Sequence, residues 1–181
     1  MTERTRKSQV PSLKDLYKRH RGLTEVGGPA FAEAAAVCLS RHHSPPVDMA
    51  ITTNSEGCVR AIGWDIPSRR QLDALNNVDD ATRDGAYAVC LAVIEAELGL
   101  LAIRRAETLT GADYYLAPSE NVEDLETAYR VEISGLNLGG PSEIRSRLRQ
   151  KLDQARRGDA NLPAIASVVG FREKIVLTEY I

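Results

Sequence analysis

Cysteine is scarce: the 181 residues contain three, Cys38, Cys58 and Cys90, odd in number and far apart. That leaves no basis for a disulfide framework or a paired-cysteine zinc site, and all three are expected to be small apolar fillers. Long apolar runs are missing too. No segment approaches the roughly 18 apolar residues needed to span a bilayer, and the opening MTERTRKSQV lacks the apolar stretch of a secretory signal. A cytoplasmic protein without membrane contact is therefore expected. There is no internal repeat and no low-complexity segment. LNLGGP is too short for a phosphate-binding glycine loop. His42 and His43 are adjacent and lack further zinc ligands at suitable spacing, so a place at a helix C-terminus, where the dipole favours them, is the simpler reading.

The composition that is present, 43% hydrophobic and 27% charged, fits one globular domain with an ordinary core and a tail. Charge is distributed unevenly. Through Gly22 there are seven basic residues against two acidic ones, a net +5, which leaves −7 on the remainder of a chain whose total is −2. Residues 1–26 are read as a basic N-terminal arm, suited to gripping phosphates or simply to solubility, and 27–181 as a single α/β domain.

Within the arm, SLKDLYKRH predicts a short helix. After the VGGPAF break a helix is expected at about 30–42, stopped by SPP. VDMAITTNSEGCVRAIGWD holds two alternating runs about an Asn-Ser-Glu-Gly turn, the pattern of a hairpin at about 47–64 with Trp64 at its end, packed in the core or an interface. From Asn77 the period becomes helical, with Asn77 or Asp79 as cap, Tyr87, Cys90, Leu91, Ile94 and Leu98 on one face, and Gly99 as the stop. Strands LLAIRRAE, ADYYLA and AYRVEISGL follow, then helix SEIRSRLRQKLDQARRG and strands AIASVVGF and KIVLTEY. This order predicts an α/β three-layer sandwich with a mixed central sheet. The acidic PSENVEDLE between two strands reads as a solvated hairpin loop.

Two carboxylates stand out. Strand alternation puts Arg130, Glu132 and Ser134 on one face and Val131 and Ile133 on the other. If ADYYLA pairs alongside, Asp113 lies at the strand end near Glu132. Two such carboxylates repel unless a cation relieves them, and Mg²⁺ (or Mn²⁺), which takes oxygen ligands and keeps waters, suits that role. The plainer alternative is that Asp113 caps a turn and Glu132 pairs with an arginine. Tyr114 and Tyr115 straddle the faces of their strand, in core packing or with one ring toward solvent or nucleic acid.

From about Asp79 to Phe171 the order of elements, together with GAD and VEIS, resembles the PD-(D/E)xK phosphodiesterase superfamily, the restriction-endonuclease-like fold. The resemblance implies a metal-dependent nuclease, in DNA processing or bacterial defence, with Asp113 and Glu132 as its catalytic metal ligands. It also implies an acidic residue on the first helix, for which Asp84, Glu95 and Glu97 compete and Asp84 is chosen. Ser134 stands where the family keeps its lysine. Some members carry that lysine on the following helix, where Lys151 flanks the stripe of Ile144, Leu148, Leu152 and Ala155. Gln150 and Gln154 are secondary hydrogen-bonding candidates. Arg145, Arg149 and Arg156 on the other flank suit backbone phosphates. A non-catalytic member that binds a protein partner, DNA or a second copy of itself is the alternative.

Overall fold

The computed structural model describes residues 12–108, 110–118, 125–157 and 161–181. In chain order these form α1 (Leu16–Arg19), α2 (Gly27–Ser40), β1 (Val47–Thr53), β2 (Glu56–Ile62), α3 (Arg69–Ala74), α4 (Val78–Leu98), β3 (Leu101–Arg105), β4 (Tyr114–Ala117), β5 (Tyr129–Leu136), α5 (Pro141–Arg157), β6 (Ala164–Gly170) and β7 (Ile175–Tyr180). The strands make one seven-stranded sheet in the order β2-β1-β7-β6-β5-β4-β3. It is mixed: β1/β7 and β5/β6 run parallel and the other neighbours antiparallel. Helices flank the sheet in a three-layer α/β sandwich, with α2 and α4 over one face and α5 over the other.

Local chemistry explains the elements nearest the site. The Asn77 side chain accepts from the Asp79 and Asp80 amides to start α4, and Gly99 ends it at φ 65, a left-handed conformation that costs glycine little. Most of α4 from Ala86 to Ile94 is buried on every side, because α2 covers one flank and the sheet the other. Gly85 permits that approach: a Cβ there would lie 2.9 Å from the Ala35 backbone nitrogen. On β5, Val131 and Ile133 enter the main core beneath α4, while Arg130, Glu132 and Ser134 take the α5 face, as alternation requires.

The hairpin extends the sheet, and its turn is tight: Asn54 and Ser55 sit at φ 48 and 75, and Glu56 and Gly57 already belong to β2. Residues 13–23, read as part of a basic arm, instead pack on the domain. Leu16 and His20 are fully buried, and the Gly22 amide donates to Ala102 O at 2.8 Å along the β3 edge. Arg4, Arg6 and Lys7 lie outside the described residues, as do 119–124 of the acidic connection. Cys38 and Cys90 are buried fillers; Cys58 is exposed on edge strand β2, which corrects its assignment to the core. Trp64 is partly buried, its Nε1–H donating to Ser40 Oγ at 2.7 Å. No helix among the described residues is long and apolar enough to cross a membrane.

Candidate functional site

At the end of β4 and the middle of β5 an open cleft of about 550 Å³ is lined by Asp113 and Glu132, with Arg105, Gln154 and Arg157 among its other walls. Strand pairing builds it. Tyr114 pairs with Val131 and the Asp113 amide donates to Val131 O at 2.7 Å, which sets the two acids on adjacent strands. Asp113 is held by both oxygens: Tyr87 OH donates to Oδ1 and the Ile133 amide to Oδ2, each at 2.8 Å. Its side chain keeps 16% of its surface exposed.

Glu132 is nearly buried, and Lys151 Nζ donates to its Oε1 at 2.6 Å. Burial, then the charge of Asp113, raise the Glu132 pKa; the Lys151 ammonium opposes them without cancelling them. Lys151 reaches across from α5 along its apolar stripe, with 19% of its side chain exposed, and also donates to Gln154 Oε1 at 3.1 Å. Ser134, two residues beyond Glu132 on the same face of β5, accepts from Arg147 Nη1 at 3.3 Å. One helical flank thus turns Arg147, Lys151 and Gln154 toward the β5 side.

Arg105 and Tyr87 complete the group. The Arg105 guanidinium carbon lies 4.8 Å and 4.6 Å from the Tyr87 and Tyr114 ring centroids, and Nη2 donates to Tyr87 OH at 3.1 Å. The same Nη2 is 3.6 Å from Asp113 Oδ1, an ion-pair contact beyond good hydrogen-bonding range. Burial first, and then Asp113, push the Tyr87 phenol up, so it stays a donor. Sequence alternation missed Arg105 because β3 carries a register shift between Ala102 and Arg104. Ala102 faces the main core, so regular alternation from it points Arg104 toward that face; the shift instead pairs Arg105 with Tyr114.

Other candidates lie elsewhere. Asp84 is not in the cleft: it pairs with Arg83 Nε at 2.9 Å in the wall of a second hollow. Of its competitors, Glu95 binds Arg19 and His20, and Glu97 pairs with Arg60 of β2. Arg145, Arg149 and Arg156 are exposed on the flank of α5 away from Lys151, and Arg156 pairs with Asp153 at 3.2 Å. Gln150 is exposed and outside the cleft lining. Tyr114 and Tyr115 are both buried, in different clusters, so core packing holds both rings. His42 Nε2 is 3.0 Å from Asn137 Oδ1 and His43 Nε2 is 3.0 Å from Phe171 O, ordinary polar contacts beyond the end of α2.

Among the described residues no three His, Cys, Asp or Glu side chains converge. Two carboxylates remain a sufficient protein donor set for Mg²⁺, which binds through one or two with waters and substrate phosphate. A cation shared by the two would oppose the upward pull of Asp113 on Glu132, as Lys151 already does. Comparison with protein-family models, with curated proteins and with solved structures finds no match to this chain.

Proposed function

We propose that the cleft is the active site of a metal-dependent phosphodiesterase acting on nucleic acid. The observation that carries this reading is the Lys151 ammonium 2.6 Å from Glu132, a lysine brought from α5 to the carboxylate of a strand whose Glu-x-Ser stands for the expected Glu-x-Lys. The order helix, three strands, helix, strand from α4 to β6 supports it as well. Asp113 and Glu132 would hold Mg²⁺ or Mn²⁺, which supplies charge neutralisation at a phosphoryl group. Tyr87 and the Ile133 amide fix the Asp113 carboxylate before substrate arrives. Lys151 orients the attacking water and offsets charge on the phosphoryl oxygens as the new P–O bond forms and the old one breaks.

Purified protein is expected to cleave DNA or RNA in Mg²⁺ or Mn²⁺. Asp113→Asn and Glu132→Gln should abolish cleavage with the fold retained, and Lys151→Ala should slow it about 10²–10³-fold. Because Glu132 must be ionised to hold a cation and its pKa is raised, activity should climb with pH through that raised value. Cleavage that survives both carboxylate substitutions sinks the reading.

A second reading, a nuclease-like fold that binds nucleic acid or a protein without hydrolysis, is favoured by one feature. Arg105 stands beside Asp113, a permanent positive charge near one of the two proposed ligands. Calorimetric titration with Mn²⁺ separates the two: binding lost in Asp113→Asn favours the enzyme, and no binding to wild type favours the module. A role in DNA processing or bacterial defence belongs to the enzymatic reading.

A further inference from the structure

We propose that Arg105 is the phosphate anchor of this site, holding the backbone phosphate next to the one at Asp113 and Glu132. The assignment rests on reading the cleft as a nucleic-acid site, and it adds the path of the strand. Arg105 lines the carboxylate cleft and also a second hollow of about 560 Å³, whose walls include Leu23, Phe31, Tyr87, Tyr114 and the Arg83–Asp84 ion pair. A strand that leaves the cleft by this side crosses Arg105 and continues over the hollow.

Arg105 is built for an anion. Its side chain is 51% exposed, yet the guanidinium packs against two aromatic rings that meet edge to face and donates to a phenol oxygen, so less freedom is lost when a ligand binds. Its contacts with Tyr87 and Asp113 both run from Nη2, the Tyr114 phenol is a further partner, and an arginine carries five N–H donors. The Asp113 contact, at 3.6 Å, does not consume the charge as a bidentate pair would. A planar fork with spare donors, bordering two depressions, matches the non-bridging oxygens of a phosphodiester. A purely structural role, offsetting Asp113, needs neither the exposure nor the second hollow.

The test is binding of a fluorescein-labelled single-stranded oligonucleotide, followed by anisotropy in EDTA over a range of KCl concentrations. Arg105→Gln is expected to bind about tenfold more weakly, with the slope of log K against log[salt] reduced by about 0.7, one phosphate contact on a single strand. Arg105→Lys should keep the slope and lose several-fold in affinity, since the charge remains and the fork does not. Arg105→Gln with wild-type affinity and slope overturns the assignment, as does wild-type protein that binds no strand. Should thermal melting show Arg105→Gln unfolded, Arg105→Lys decides alone, and wild-type affinity in that variant overturns the assignment. Binding without cleavage in Mn²⁺ would end the hydrolytic reading and leave Arg105 in place. Cleavage with binding unaffected by Arg105→Gln would do the reverse.

Discussion

Glu95 shows how a single carboxylate ties distant segments together. Burial alone would raise it, but His20 and Arg19 outweigh burial and hold it at about 2. The Ala102 amide donates to His20 Nδ1 at 2.9 Å, so the imidazole proton lies on Nε2 and is donated to Glu95 Oε2. A depressed carboxylate stabilises the fold above its unfolded pKa, and that contribution drains away as pH falls toward about 2. Urea melts should show wild type losing about 1–2 kcal/mol between roughly pH 5 and pH 2 that Glu95→Gln does not lose, a range discounted for solvent screening. Equal pH profiles would refute it. At this scale Asp113, Glu132 and the inward reach of Lys151 were legible, because strand alternation and helical phase are strict. The partners of Glu95 and the position of Arg105 were not, because one depends on contacts far along the chain and the other on an irregularity in β3.

Elements with a strong apolar pattern and marked ends could be read directly: α4 between Asn77 and Gly99, and the hairpin about its turn. The short α3 escaped because it buries nothing, so no periodicity betrays it. A capping box was present in the letters, Ser68 and Gln71 exchanging bonds across the first turn. Packing between elements is where substitutions should be most telling. Gly85→Ala gains helix propensity of about 1 kcal/mol, yet its Cβ would press on the backbone of α2, which cannot rotate aside as a side chain can. Net destabilisation of about 1–3 kcal/mol is expected from chemical denaturation. A variant as stable as wild type would mean that α2 and α4 separate freely. Leu16→Ala should cost about 2–4 kcal/mol, since its side chain is fully buried in the main core. A negligible loss would restore residues 13–23 to the status of an arm.

The whole sheet protects its middle. Every residue of β6 is buried, with β5 and β7 on either side and helices on both faces, whereas β2 is an edge and mostly exposed. Hydrogen exchange should therefore be slowest in β6 and fastest, among the strands, in β2; protection spread evenly across the sheet would contradict this. Strand order itself was beyond the sequence, because nothing local to KIVLTEY announces that it lies between β1 and β6. That placement sets a schedule for biosynthesis. The first hairpin leaves the ribosome more than a hundred residues before residues 175–180 and has only its own two strands to pair with until they emerge. One flank of β1 thus stays open through most of translation, so the nascent chain, rather than the finished protein, carries the greater risk of pairing with a neighbour.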